Sequence, residues 1–362
     1  MAFEATKREW SELYTFFRLL SDGYVYAGTP DVKRNDGYRI PVAMIQREEH
    51  DGTRQYIIDK EWIIIKGENI DKKVPREYFT TVAELILDAI KNCRENDVTS
   101  PDGVEEFLDE VAIYDLEAKT EDRTDFSVAF YSVETPLSGF CVRSRLGGTM
   151  FPLMDGGRSA NFKFEQTGVK FAVPTVNKIN AEGEEDDVLG RMLMIERLGG
   201  VLKYNDVADK IFRSNLSMID LHMGRMLAEM TRLMWLDDIT KVSELTEEIK
   251  KLNPLKIKDE LINKHGFYEH KVKEFLLALA MGMRPAKMYN GTDSAISGFL
   301  FVTGDGEVLC YQKANRQVFA DFLFKNTRLE RGSTEKDKYG YLERENGVYY
   351  FKLNLKIGLL KR

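Results

Sequence analysis

Apolar residues recur at helical spacing over residues 7–21, KREWSELYTFFRLLS. Trp10, Leu13, Phe16, Phe17 and Leu20 share one face there, and Asp22-Gly23 supplies a stop. The period then falls to two. YRIPVAMIQREEHDGTRQYIIDKEWIIIKG reads as successive strands, with Asp51-Gly52 as the hairpin turn. A second amphipathic helix is expected to open at Pro75 and run toward Cys93, with Val82, Leu85, Ile86, Ala89 and Ile90 inward. DFSVAFYSVETPLSGFCVRSRLGG, residues 125–148, is two short strands around a turn, and RSANFKFEQTG ends as another strand. NAEGEEDDV is a charged turn and a candidate boundary. Residues 186–283 read almost wholly helical, with one long segment over 206–236 and another ending in KVKEFLLALAMGM. From residue 297 the period of two returns. GFLFVTGDGEVLCYQ folds over Gly304-Asp305-Gly306, NRQVFADFLFKN is a short amphipathic helix, and YGYLERENGVYYFKLNLKI turns at Asn346-Gly347. The pattern predicts an α+β protein without internal repeats.

Composition narrows the class. With 362 residues, 43% hydrophobic and 31% charged, the chain is of globular type and long enough for one large or two to three ordinary domains. Three scattered cysteines, Cys93, Cys141 and Cys310, neither frame disulfides nor form a CxxC metal site, which suits a reducing cytoplasm. The N-terminus carries early acids and no apolar core, unlike a signal peptide, and no apolar run reaches the roughly 20 residues that span a bilayer.

Charge is unevenly laid out. The net charge of −7 gives no global attraction to polyanions, yet residues 95–125 carry twelve acids against Lys119 and Arg123. Residues 137–163 carry Arg143, Arg145, Arg158 and Lys163 against Asp155 alone. Residues 312–332 carry Lys313, Arg316, Lys325, Arg328 and Arg331 against Asp321 and Glu330. Each basic segment alone reads as a solvated face. Two of them beside an acidic stretch fit a phosphate-binding cleft around a metal site.

Several chemistries are excluded. No G-x-x-x-x-G-K-[ST] loop or G-x-S-x-G elbow occurs, and His265 and His270 stand five apart rather than the four a zinc-binding helix face needs. The methionines Met218, Met223, Met226, Met230 and Met234 read as core packing. The hairpin at 125–148 remains. In the PD-(D/E)xK arrangement an aspartate opens one strand, and an acid and a lysine two apart on its antiparallel neighbour face the same Mg²⁺. Here Asp125 opens DFSVAF, and Cys141 and Arg143 stand two apart on SGFCVRS, with the Val142 carbonyl as a further ligand candidate. Glu117, eight residues before Asp125, is a second carboxylate candidate. By spacing alone the motif is weak.

Longer blocks add to it. EWSELYTFFRLLSDGYVYAG resembles the opening of the HpaII-type type II restriction endonucleases. RTDF, GFCVRSRLGG and RSANFKF follow in the order of that family's central blocks. ALAMGMRP, GEVLCYQKANRQVFADFLFKNTRLERGST and YYFKLNLKI resemble its C-terminal ones. The resemblance runs over nearly the whole chain. It implies a Mg²⁺-dependent, site-specific endonuclease for double-stranded DNA with a PD-(D/E)xK-like core, a small mixed sheet flanked by helices and carrying helical and β-rich elaborations. It also implies a cognate DNA methyltransferase as functional partner. A two-fold symmetric target would favour a homodimer.

The expected segments are an N-terminal helix and hairpin region over 1–75, the nuclease core over 76–180, a helical region over 181–285 and a β-rich DNA-recognition region over 286–362. Asp125 matches the family's metal-binding aspartate, Arg143 stands where the family has lysine, and Cys141 where it has serine. STEKDKYG lacks the S-R-[HK] character of the corresponding block, which leaves the recognised bases open. Arginine stays protonated and cannot be a general base, although it can clamp a phosphate. Three readings stand: Arg143 suffices, the lysine has moved to Lys163 or Lys119, or the chain binds DNA without cutting it. Ser144, Arg145 and Arg158, together with Gln312, Lys313, Asn315, Arg316, Asn326 and Arg328, are of the types that grip phosphates or read bases. Asn315 and Asn326 equally suit capping of the short helix.

Overall fold

A computed structural model describes residues 3–116, 124–147, 152–291 and 296–360. Two compact units emerge. The first comprises residues 1–151, 293–322 and 361–362, and the second residues 152–292 and 323–360. The four segments expected from the sequence are thus grouped differently: 1–75 shares a unit with the hairpin at 125–148, and the 286–362 region contributes to both units.

In the first unit, β1 (Glu4–Thr6) leads into α1 (Lys7–Asp22), followed by β2 (Tyr24–Gly28), β3 (Arg34–Glu49), β4 (Gly52–Asp59), β5 (Trp62–Gly67), β6 (Ile70–Pro75) and α2 (Arg76–Asn92). Then come β7 (Asp97–Thr99), α3 (Val104–Glu110), β8 (Phe126–Phe130) and β9 (Ser138–Ser144). The second unit holds β10 (Met154–Asp155), β11 (Asn161–Gly168), α4 (Val173–Asn180), α5 (Val188–Arg197), β12 (Gly200–Val207) and α6 (Lys210–Ile219). It continues through α7 (Met223–Asp237), α8 (Val242–Leu252), α9 (Asp259–His265) and α10 (Phe267–Ala280). The chain returns to the first unit with β13 (Ile296–Val302), β14 (Val308–Gln312) and the start of α11 (Arg316–Asn326). It ends in the second with β15 (Thr327–Glu330), α12 (Thr334–Asp337), β16 (Leu342–Glu345), β17 (Val348–Asn354) and β18 (Lys356–Leu359). The α+β expectation holds.

The first unit is built on a nine-stranded sheet in the order β2-β14-β13-β9-β8-β3-β4-β5-β6. β13 pairs with β9, and β14 with β2, in parallel; the other pairings are antiparallel, so the sheet is mixed. β3 is long enough to be shared. Its first half pairs with β2 and its second half with β4 and β8, which curls the sheet back on itself. Gly28 lies at that closure, where a Cβ would fall 2.2 Å from the Tyr311 ring. Only glycine admits so close an approach.

α1 lies against this sheet for reasons visible in its sequence. Thr6 and Glu9 form a reciprocal capping box at its start, and Gly23 ends it with φ of 67°. Its Trp10, Leu13, Phe16, Phe17 and Leu20 join Phe79, Ile86, Phe126, Val128, Phe140 and Leu300 in one core. Phe16 stands edge-on to Tyr56 at 4.8 Å and to Phe126 at 5.8 Å. That packing fixes which face of α1 looks toward the ends of β8 and β9.

The second unit carries a four-stranded sheet, β12-β11-β17-β16, and a three-stranded one, β10-β18-β15, with helices α4 to α10. Two expectations fail here. The stretch read as helical from 186 contains a strand, β12, and the long segment over 206–236 divides into α6 and α7 at Asp220. Of the five methionines read as core, Met223, Met226, Met230 and Met234 are buried, whereas Met218 is 59% exposed. NAEGEEDDV joins α4 to α5 inside this unit rather than marking a boundary between the two.

Candidate active site

Asp125 immediately precedes β8, and its position is fixed twice. Its backbone N–H donates to the Phe140 carbonyl at 2.8 Å, and its Oδ2 accepts the Val142 N–H at 2.5 Å. The carboxylate thus stands in for a ladder carbonyl where β8 and β9 part. A residue's N–H and C=O leave a strand on the same side, so the Val142 carbonyl faces that edge too. Arg143 comes next. Its Nη1 donates to the Val142 carbonyl at 3.1 Å, and its Cζ lies 5.1 Å from the centre of the Phe299 ring on β13. Its Nε is buried with no hydrogen-bond partner among the described residues.

The first turns of α1 supply the facing wall. Lys7, Arg8, Ser11 and Glu12, with Asn96, enclose a hollow together with Asp125, Val142, Arg143, Ser144 and Gly147. Its volume is about 30 Å³, room for a water or a small ion. Glu12 is only 2% exposed, and a carboxylate so placed needs a counter-charge. Arg47, fully buried on β3, provides it: Nη1 lies 3.7 Å from Glu12 Oε1, while Nε donates to Glu49 at 3.0 Å. Glu49 in turn accepts the N–H groups of Tyr114 and Asp115 at 3.1 and 3.0 Å. Arg47 Nη2 donates to the carbonyls of Asp115 and Leu116 at 2.5 and 3.3 Å. A buried chain of charge therefore ties the acid on α1 to the segment that leads toward Asp125.

Of the residues singled out in the sequence, Asp125, Val142, Arg143 and Ser144 come together at this hollow. Cys141, 3% exposed, is buried in β9 and does not line it. Glu117 and Lys119 lie outside the described residues. Arg145 continues β9 over the Phe301 ring at 5.1 Å and borders a second, wider hollow with Lys33 and Arg34. Gln312, Lys313, Asn315 and Arg316 form the link from β14 into α11 in the same unit, with Lys313 and Arg316 exposed.

The others belong to the second unit. Lys163 on β11 pairs with Glu345 at 2.5 Å and stands over the Tyr350 ring. Exposed Arg158 donates to the Lys336 carbonyl at 3.1 Å. Arg328 donates to Glu330 at 3.0 and 2.8 Å, and Asn326 is buried, its carbonyl accepting the Leu360 N–H. No group of three or more His, Cys, Asp or Glu side chains gathers into a metal cage among the described residues. Burial pushes the Cys310 thiol up to about 12, which leaves it a poor nucleophile at neutral pH.

Glu12 and Lys7 were missed in the sequence. A signal existed for Glu12: it falls four residues before Phe16 and eight before Leu20, an acid in the apolar stripe of an amphipathic helix. Lys7, the first residue of the helix, gave none.

Comparison with known proteins agrees along the whole chain. No solved structure matches it. Type II restriction enzyme HpaII of Haemophilus parainfluenzae is 31% identical over 364 residues, covering 99% of this chain and 99% of that protein. The pattern that describes the HpaII restriction endonucleases matches residues 6–359, and this chain belongs to that family.

Proposed function

We propose that this protein is a type II restriction enzyme: a Mg²⁺-dependent endonuclease that hydrolyses phosphodiester bonds at a short double-stranded DNA site. Its nuclease core would be of PD-(D/E)xK type, formed by α1, β8, β9 and β13. The observation that carries the reading is the meeting of Asp125 and Glu12 with Val142 around one small hollow, in a chain matched to the family from residue 6 to 359.

Two carboxylates and a backbone carbonyl suit Mg²⁺, which keeps much of its water and leans on one or two acids rather than a full protein cage. Asp125, Glu12 and the Val142 carbonyl would hold the ion. When bound, it supplies Lewis-acid polarisation of the phosphoryl group and a more acidic water. An arginine side chain is no general base, so Arg143 acts by charge, offsetting the negative phosphate. Arg8, exposed beside the hollow, adds to that field. Ser144 and Arg145 extend the phosphate track along β9. Gln312, Lys313, Asn315 and Arg316 offer base-reading and phosphate-gripping groups where β14 passes into α11, and Arg158 and Arg328 do so in the second unit, where Asn326 is buried.

Purified protein is expected to cut unmethylated DNA into discrete fragments with Mg²⁺ and not with EDTA. Asp125→Ala should abolish cutting and leave DNA retention in place. Sequencing the fragment ends gives the target and overhang; absence of any cut or nick over a varied DNA set would sink the enzyme reading.

One observation favours a second reading, a DNA-binding protein that has lost cleavage. Arg143 turns Nη1 back on its own strand and lies on the Phe299 ring. In that case DNA is retained with steep salt dependence and Asp125→Ala changes nothing. With the enzyme reading go a methyltransferase that protects host DNA in the cytoplasm and, for a symmetric target, a homodimer. No helix among the described residues is long and apolar enough to cross a membrane.

A further inference from the structure

We infer that Lys7 is a catalytic residue whose ammonium contacts the scissile phosphate and takes over the charge-stabilising work of the strand lysine that Arg143 replaces. The inference rests on the nuclease reading of the same hollow.

Four observations lead to it. Lys7 lines the hollow with Asp125 and Glu12. It is 8% exposed, and lysine is rarely so buried without a reason. Its amine donates to a neutral acceptor, the Cys93 carbonyl at the end of α2, at 2.7 Å, and no carboxylate pairs with it among the described residues. An ammonium has three donors, so two are left for an anion. Finally, its backbone is anchored: Lys7 N–H donates to the Asn96 carbonyl at 2.8 Å, directly after the Thr6–Glu9 capping box. A cation held in place beforehand costs no reorganisation when charge develops on the phosphoryl oxygens.

The two lysines considered from the sequence are placed differently. Lys163 belongs to the second unit and is engaged by Glu345, and Lys119 lies outside the described residues. Arg143 spends one N–H on its own strand and its face on Phe299. In the proposed step one N–H of Lys7 stays on the Cys93 carbonyl and another reaches a non-bridging phosphate oxygen, so no bond is made or broken at the amine.

The competing explanation is structural, a lysine that caps the C-terminus of α2. Single-turnover cleavage with Mg²⁺, and DNA retention with Ca²⁺ in its place, separate the two on the full chain. Lys7→Met is expected to slow cleavage by about 100-fold, the loss typical of one charge-stabilising donor, with retention in Ca²⁺ within about threefold. Lys7→Arg should keep roughly a tenth or more of the rate, because it keeps the charge. Adding Arg143→Lys to Lys7→Met should recover about tenfold or more, since it returns an amine to the strand.

Cleavage by Lys7→Met at the wild-type rate per DNA-retaining molecule overturns the inference, as does a double variant no faster than Lys7→Met. Should Lys7→Met fail to retain DNA, Lys7→Gln, which keeps a donor for Cys93 without charge, takes its place with the same expected loss. A wild-type protein that never cuts removes the nuclease reading itself, which the variants alone do not.

Discussion

Two ionic clusters in this chain have opposite surroundings. On the first unit, Glu12, Arg47 and Glu49 are 2%, 0% and 5% exposed, almost wholly withdrawn from water. On the second, Lys163, Glu343, Glu345 and Lys352 form a ladder across β11, β17 and β16, with side chains between 19% and 46% exposed. The ladder is what a half-wet sheet face gathers at little energetic consequence. The buried cluster is different, because each charge removed from water costs several kcal/mol and mutual attraction barely recovers it. An apolar trio would serve stability as well. What an apolar trio cannot do is hold a carboxylate at the hollow where Asp125 stands. Under the proposed function, the buried charges serve the site and the exposed ones the surface.

Removing one member of each cluster tests the contrast, and Glu49→Ala has the largest expected effect. It strips Arg47 of its close partner and leaves the N–H groups of Tyr114 and Asp115 without their acceptor. A loss of about 3–5 kcal/mol is expected in urea unfolding, the usual result of orphaning a buried charge. A loss below 1 kcal/mol would mean that water reaches Arg47, and the two clusters would no longer differ in kind.

The exposed ladder was the easier of the two to foresee. Its hairpin turns at Asn346-Gly347, both with positive φ of 50° and 85°, and an Asn-Gly pair between alternating residues announces that turn locally. α1, the β3–β4 hairpin and the Asp125 hairpin were legible in the same way, from spacing and turn residues close in sequence, although the first hairpin turns at His50-Asp51, one residue before the expected Asp51-Gly52. β12 was not. In GVLKYNDV only Leu202 and Tyr204 alternate with polar neighbours, a run too short to announce a strand, and the segment becomes one by pairing with β11, more than thirty residues away. The site divides likewise. Asp125 and Arg143 follow from hairpin register. Glu12 and Lys7 join them only because aromatic packing of Phe16 and Phe17 sets the rotation of α1 over 110 residues upstream, which no local pattern states.

An intermediate effect is expected where a charge is half-shielded. Arg143 rests on the Phe299 ring, and lysine cannot reproduce both the stacking and the bond to the Val142 carbonyl. Arg143→Lys should therefore cost about 1 kcal/mol in urea unfolding. Stability equal to wild type would show that the ring contact carries no energy and that this edge of the hollow behaves like the exposed ladder.

The smallest effect belongs to Lys163→Ala, and its pH dependence identifies it. The hydrogen bond from Lys163, and then the charges of Lys163 and Lys352, hold the Glu345 carboxyl below its ordinary range. A carboxyl lowered in the folded state adds stability above its unfolded value, and that contribution is lost as pH falls through the folded one. With Glu345 39% exposed, screening limits the pair to about 1 kcal/mol or less near neutrality. The difference between Lys163→Ala and wild type should thus be small at pH 7 and vanish in acid, followed by urea midpoints from pH 7 down to pH 3. Cleavage should be untouched at every pH where the fold persists. A cleavage defect without a stability defect would instead make Lys163 part of the chemistry. Charge on the second unit's sheet would then bear on cleavage as charge around Asp125 does in the proposed site.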